Sequence, residues 1–315
     1  MKIGVDILGG DFAPESTLKG ITLAFEEFGS DCSFVLIGNE VETKAALTAA
    51  KFPVEKVEFY HAPEGITMSS SPVKSIASSP NSSIVKGFDL LAKGELDGFC
   101  SAGNSGSMLV GAVMKLGLVR EDLRPCLLSI LPNLNGSDGI LLDVGANADC
   151  KPENLLDFAI LGSTYAEVHL KFNDPKIGLI NIGEEPEKGS QLSIASHRLM
   201  AEYTKINFIG NLEGRELFDG KADVAVCSGF VGNVVLKLAE KFYEVAMRRG
   251  MKDDPFYSKF NYEIHGGSPV LGVNKTVVVG HGISSPVAIK NMIKLTKELV
   301  EENFVAKLKE AIPNA

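Results

Sequence analysis

Short runs of near-continuous Val, Ile and Leu alternate with longer stretches of helical period along the 315 residues, and nothing else in the sequence restricts the fold as much. The runs are Ile3–Ile7, Ser33–Ile37, Lys56–Tyr60, Gly98–Cys100, Cys126–Leu131, Gly139–Asp143, Ile177–Ile182, Asn207–Ile209, Ala222–Cys227 and Thr276–Val279. Apolar runs without alternation mark strands covered on both faces, as in a parallel sheet. Between them, Pro14–Phe28, Ser83–Lys93 and Met108–Leu118 read as helices, and Pro152 opens another at the first helical position. Val231, Val234, Val235, Leu238, Phe242 and Val245 share one helical face, and Ser285-Pro286 caps a last helix. Repeated strand–helix–strand units predict a three-layer α/β/α fold with a mostly parallel sheet. No linker-like stretch divides the chain, so residues 1–315 read as a single domain, with a small helical excursion near 230–265. The serine-rich stretch 69–83 reads as a loop over a ligand.

In open α/β sheets ligands bind beyond the carboxyl ends of the strands. Here those ends carry Gly9-Gly10-Asp11, Ser101-Ala102-Gly103-Asn104-Ser105-Gly106, Asp143-Val144-Gly145-Ala146-Asn147, Asn181-Ile182-Gly183-Glu184, Gly210-Asn211, Ser228-Gly229-Phe230-Val231-Gly232-Asn233 and Gly280-His281-Gly282. Glycine lets backbone amides approach a ligand, and a helix starting there adds its positive end. Phosphate, or an anion forming at a carbonyl, suits such a pocket. Any one turn is equally well explained as a tight connection; the repetition is what points to a site.

The strand-ending turn at 101–106 is the best phosphate cradle, through Gly103, Asn104, Ser105 and Gly106. Gly10, Asp11, Asn181, Gly183, Asn211, Gly229 and Asn233 join it as substrate-binding candidates. Asp143, Asn147, Lys74 and His281 are candidates for orientation or charge balance, Asp143 being equally readable as a turn-ordering carboxylate. Cys100 and Cys227 end strands beside glycine turns, where a thiolate nucleophile or a small buried hydrophobe both fit.

The sequence lacks GxxxxGK[ST], an early GxGxxG, GxSxG and HExxH, which removes support for a P-loop kinase, a standard dinucleotide fold, a hydrolase triad and a zinc protease. No cofactor or metal is expected. Lys and Arg total 31 against 40 Asp and Glu, a net charge of −9, which argues against nucleic-acid binding. The five cysteines have no metal or disulfide spacing and read as reduced thiols of a cytoplasmic protein without a targeting segment.

Read together and in order, the turns resemble the phosphate acyltransferase (PlsX) family. The match is carried by Gly9-Gly10-Asp11 with Ala13-Pro14-Glu15, Pro72-Val73-Lys74, Ser101-Ala102-Gly103-Asn104, and Leu141 to Asn147 with Lys151-Pro152-Glu153. It continues through Asn181 to Glu185, Asn207 to Asn211, Gly229 to Asn233, Gly266-Gly267 and Gly280-His281-Gly282. The resemblance implies a fold like isopropylmalate dehydrogenase and phosphotransacetylase. It also implies transfer of a fatty acyl group from acyl carrier protein to inorganic phosphate, for phospholipid synthesis. A homodimer is implied, as is peripheral association with the membrane near the glycerol-phosphate acyltransferase that uses the product. An acidic carrier needs a local basic patch, for which Arg248, Arg249, Lys252 and Lys259 are the nearest cluster. The stretch 78–83 is neutral where the family is basic, and 247–265 is shorter and more charged than the family's apolar excursion. The rival readings are a phosphotransacetylase using coenzyme A thioesters, a decarboxylating dehydrogenase, and a non-catalytic phospho-ligand sensor.

Overall fold

The structure is a computed structural model that describes residues 1–251 and 254–312. In chain order its strands are β1 (Lys2–Asp6), β2 (Ser33–Gly38), β3 (Glu58–His61), β4 (Gly98–Ser101), β5 (Cys126–Pro132), β6 (Asp138–Leu142), β7 (Lys176–Asn181), β8 (Asn207–Glu213), β9 (Val224–Val226), β10 (Ser268–Leu271) and β11 (Thr276–Val279). The helices are α1 (Glu15–Phe28), α2 (Glu40–Ala49), α3 (Pro72–Ser78), α4 (Ser83–Ala92), α5 (Ser105–Leu116), α6 (Pro152–Val168), α7 (Gln191–Glu202), α8 (Gly229–Arg248), α9 (Pro255–Ser258), α10 (Tyr262–His265), α11 (Pro286–Glu301) and α12 (Phe304–Ala311). The chain folds as two compact units, Met1–Leu118 with Tyr262–Val305, and Val119–Asn261 with Ala306–Ala315.

In the first unit the strand order is β3-β2-β1-β4-β11-β10. Neighbours run parallel except β10, which lies antiparallel to β11 with Ser268 opposite Val279. Ile3, Val5, Phe99 and Val278 are fully buried, as expected for strands covered on both faces. Helix α1 packs against α11, so closely that a Cβ at Gly20 would lie 2.5 Å from Ile289 Cβ. Parallel strands put all their carboxyl ends, and therefore the turns after β1, β4 and β11, at one edge of this unit's sheet.

In the second unit the order is β5-β6-β9-β7-β8. β5 and β6 form an antiparallel hairpin; β6, β9, β7 and β8 are parallel neighbours. Helix α6 is buried from Asn154 to nearly its end, with Gly162 against Leu142 and Val224, so its apolar residues need not fall in one stripe.

Several elements differ from the sequence reading. β10 went unread because Ser-Pro-Val-Leu is short and Pro signals a strand edge. β8 runs on to Glu213, so Gly210-Asn211 lies inside the strand, not in a turn after it. Gly210 adopts φ +98°, and the β7–β8 register shifts there: Ile177 faces Phe208 while Leu179 faces Asn211. The serine-rich stretch contains α3, opened by Pro72. The stripe on α8 was read as one apolar face; Val235 and Leu236 pack on the core, whereas Phe230, Val231, Val234, Leu238, Phe242 and Val245 are exposed.

Candidate active site

In the first unit the site begins with Asp6, at the end of β1 and only 1% exposed. Its carboxyl accepts from Ser101 Oγ at 2.6 Å and from the Leu8 amide at 2.9 Å. Ser101 Oγ in turn accepts from the Gly103 amide at 2.9 Å. Burial pushes the Asp6 carboxyl above its usual range, with the Ser101 hydroxyl pulling it back. Between these groups sits Gly9, where a Cβ would lie 2.6 Å from Asp6 Oδ2 and 2.7 Å from the Gly103 nitrogen. No side chain fits, so the glycine is a requirement of this junction.

The turns after β1 and β11 meet here: the Asp11 amide donates to the Gly282 carbonyl at 2.7 Å. Asp11 is exposed and Gly10 adopts φ +105° against Gly282 and Ala102. His281 is half-buried, its ring 5.2 Å from Tyr262, and Lys74 stands exposed on α3. Asn104 caps α5, its Oδ1 accepting from the Ser107 amide at 2.9 Å. Its Nδ2 donates to the carbonyls of Thr67, Met68 and Ser70 at 3.3, 2.9 and 3.2 Å. The carboxamide thus ties the serine-rich stretch to the start of α5. Ser105 and Gly106 lie in the first turn of that helix, where an α-helix leaves its amides without intrahelical acceptors.

In the second unit Asp143 is fully buried just after β6. Its Oδ1 accepts from the amides of Leu127 and Ala146, both at 3.1 Å. Its Oδ2 accepts from the Asn147 amide at 2.6 Å and from Asn147 Nδ2 at 3.0 Å. A carboxylate with four such donors orders its turn. Asn147 Nδ2 also reaches the Pro125 carbonyl at 2.8 Å, and the Gly229 amide donates to the Asn147 carbonyl at 2.7 Å. The start of α8 presses on this turn: a Cβ at Gly232 would lie 1.9 Å from the Asp143 carbonyl oxygen. Asn233 is exposed, and its Nδ2 donates to the Val144 carbonyl at 3.3 Å.

Asn181 Nδ2 donates to the Lys188 carbonyl at 3.0 Å while its Oδ1 accepts from the Ile182 amide, and Gly183 is buried beside Lys188. Asn211 Nδ2 donates to the Glu185 carbonyl at 2.8 Å, and its Oδ1 lies 3.0 Å from His197 Nδ1. His197, which the sequence offers only as a surface or structural histidine, packs its ring 5.1 Å from that of Phe208. Sequence reasoning took these asparagines for ligand donors; the structure binds their amides to the chain's own carbonyls.

The structure gathers Gly10, Asp11, Gly103, Asn104, Ser105, Gly106 and His281 in the first unit. The second holds two groups, Asp143, Asn147, Gly229 and Asn233, and Asn181, Gly183 and Asn211. Of the basic cluster, Arg248 pairs with Glu244. Lys259 pairs with Asp138 at 2.8 Å and also donates to the Gly136 carbonyl. Arg249 is exposed at the end of α8, and Lys252 lies outside the described residues. Cys100 and Cys227 are buried, burial pushing the Cys100 thiol up to about 12 and Cys227 higher still. Neither is a thiolate at neutral pH.

Among solved structures, the chain resembles a phosphotransacetylase from Streptococcus pyogenes, with a TM-score of 0.66, 16% identity and coverage of 96% of this chain and 94% of that one. It also resembles the EutD phosphotransacetylase from Staphylococcus aureus, with a TM-score of 0.62, 16% identity and coverage of 95% and 94%. These likenesses bear out the expected fold. Residues 1–307 match the family described as fatty acid synthesis protein. The phosphate acyltransferase of Halothermothrix orenii is 39% identical over 331 aligned positions, covering 99% of this chain and 98% of the relative. That of Dictyoglomus turgidum is 39% identical over 330 positions, covering 99% and 98%. The chain therefore belongs to the fatty acid synthesis protein family, the family of the phosphate acyltransferases.

Proposed function

We propose that the protein transfers a fatty acyl group from a thioester to inorganic phosphate, making an acyl phosphate for lipid synthesis. The observation that carries this is the near full-length kinship to phosphate acyltransferases. A phosphate oxygen attacks the thioester carbonyl carbon, the C–O bond forms, the C–S bond breaks, and the thiolate leaves and takes up a proton. Phosphate is already a nucleophile and a thiol leaves readily, so the protein's task is to position the reactants and stabilise the oxyanion. The amides at Ser105 and Gly106 hold phosphate, with Gly103 and Asn104 shaping the turn that presents them and Lys74 and His281 balancing its charge. Asp143, Asn147, Asn181, Gly183, Asn211, Gly229 and Asn233 shape the substrate-binding turns of the second unit. The buried, protonated Cys100 and Cys227 support direct attack over an acyl-cysteine route.

The donor in this reading is acyl carrier protein, an acidic partner met by Arg248 and Arg249. The Arg248–Glu244 pair is exposed, and exchanging it for a carrier carboxylate costs little. A second copy of the chain covers the exposed face of α8, where Phe230, Leu238 and Phe242 are each more than half exposed. Membrane association is peripheral in this reading; among the described residues no helix is long and apolar enough to cross a bilayer.

The test supplies acyl carrier protein thioester with phosphate and measures free thiol and acyl phosphate together. Equal, phosphate-dependent yields are expected; thiol release without acyl phosphate overturns the proposal. Equal turnover of a coenzyme A thioester in parallel favours the phosphotransacetylase reading. Reversing Arg248 and Arg249 to Glu raises KM for the carrier thioester several-fold and leaves that for coenzyme A thioester unchanged. In sedimentation, Leu238→Glu with Phe242→Glu gives the monomer mass where the native chain gives twice that.

A further inference from the structure

Three exposed apolar side chains belong to the polar turns of the first unit or lie over them. Phe12 directly follows Asp11, Ile283 directly follows Gly282, and the Asp11 amide is bonded to the Gly282 carbonyl. Met68 comes from a third segment and lies over Gly282: a Cβ there would sit 2.7 Å from Met68 Cε and 3.6 Å from Asp11 Oδ2. Phe12 is 59% exposed, Met68 40% and Ile283 45%. Their places are set by the cradle itself, because Asn104 Nδ2 at the start of α5 donates to the Met68 carbonyl, and Gly10 packs on Ala102. Large apolar side chains left in water beside a polar cluster mark a surface built for an occupant with both characters.

We infer that Phe12, Met68 and Ile283 form the seat of the donor's acyl chain, an inference that rests on the acyl-transfer reading above. The chain leaves the reacting carbonyl through a single carbon–carbon bond, so its first methylenes lie within a few ångströms of the bound phosphate, on whatever surface adjoins it. In the first unit that surface is this apolar rim. Methionine adapts to a flexible chain, and its thioether needs no polar partner. The seat makes the long-chain donor bind more tightly than the short one without touching phosphate.

The test uses unreactive palmitoyl and acetyl thioethers of pantetheine as probes, with affinity measured by calorimetry on the native protein and on Phe12→Ser/Met68→Ser/Ile283→Ser. Because all three side chains are exposed, the variant folds, which its melting curve checks; Met114→Ser, another exposed methionine, serves as control. The native protein is expected to prefer palmitoyl, and the triple variant to bind it roughly tenfold more weakly, with acetyl changed less than about twofold. An unchanged palmitoyl affinity in the folded triple variant, or a native protein indifferent to chain length, overturns the seat. If the seat behaves as expected but no acyl phosphate forms in turnover, the seat stands and the acyl-transfer reading falls.

Discussion

Asp6 and Asp143 occupy equivalent positions in the two units. Each sits buried at the end of a parallel strand, and each organises a glycine-bearing turn. They do so differently. Asp143 grips its own turn directly, through amides of Ala146 and Asn147, and ties it to β5 through Leu127. Asp6 accepts one amide of its own turn, from Leu8, and adds a relay: Ser101 donates to it from the neighbouring strand, and the same hydroxyl accepts the Gly103 amide. The Asp143 carboxyl is engaged by four N–H donors; the Asp6 carboxyl takes the Ser101 hydroxyl as well as the Leu8 amide, and burial holds it above its usual range. Strand-end carboxylates are thus no guide to catalysis by themselves. Both first build the backbone that a ligand would meet.

Asp143→Asn tests the stronger half of this contrast. The amide's NH2 must face N–H groups that the carboxylate accepted, leaving buried donors unpaired at about 3 kcal/mol. A melting temperature lower by roughly 10 °C is expected, with turnover lost in proportion to unfolding. Full stability with abolished turnover would make Asp143 a reactant and dissolve the parallel with Asp6.

A control of similar size uses an ion pair that is part of neither turn. Arg120 pairs with Asp157 at 2.7 Å, with only 6% of the Asp157 side chain exposed, so Arg120→Met strands a buried carboxyl. The loss expected is about 3 kcal/mol, and Asp157→Leu added to Arg120→Met restores most of it. Urea unfolding of the single and double variants measures this. Turnover per folded molecule unchanged in the double variant shows that stability alone does not set activity.

Asp6→Asn is expected to be milder and to carry a pH signature. A carboxyl raised by burial stabilises the fold fully below its unfolded value near 3.8 and loses that contribution as pH rises through its higher folded value. The stability gap between the native protein and Asp6→Asn therefore narrows from acid toward neutral pH. Measured by thermal melts across that range, a gap that widens would mean the Asp6 charge is stabilised after all.

The strands, the turns that follow them and the family were legible because they rest on local patterns: buried apolar runs, glycine clusters and Pro-opened helices. β10 escaped because a four-residue strand owes its existence to β11 beside it. Gly210-Asn211 was misplaced because a bulge is a property of two strands together. The asparagines show the deeper limit. Composition says that Asn104, Asn147, Asn181 and Asn211 can donate; only the fold says to what, and their amides go to carbonyls of Met68, Pro125, Lys188 and Glu185. Met68 and Ile283 gave no signal, since a lone apolar residue in a turn reads as incidental.

Asn104→Ala should cost about 1 kcal/mol, the usual worth of a helix cap, and loosen residues 67–70 from α5, seen as faster proteolytic nicking in the serine-rich stretch. Its KM for the acyl donor rises more than its kcat falls, because the tie it removes also positions Met68. Equal nicking of variant and native chain would show that the carboxamide does not hold the loop.

The smallest structural effect belongs to Asn233, exposed and bonded at 3.3 Å to the Val144 carbonyl beside the Asp143 turn. Its replacement by Ala should lower stability by less than about 0.5 kcal/mol, within the range of ordinary surface changes. If the asparagines divide into builders and ligand donors, Asn233 belongs with the donors, and kcat/KM for phosphate falls roughly tenfold at unchanged melting temperature, the worth of one hydrogen bond to a charged ligand. Asn147→Ala gives the opposite pattern, because its amide is engaged by both the Asp143 carboxylate and the Pro125 carbonyl. Measured side by side, the pair separates a group that holds the turn from one that the turn presents, and equal ratios of stability loss to activity loss would erase that division.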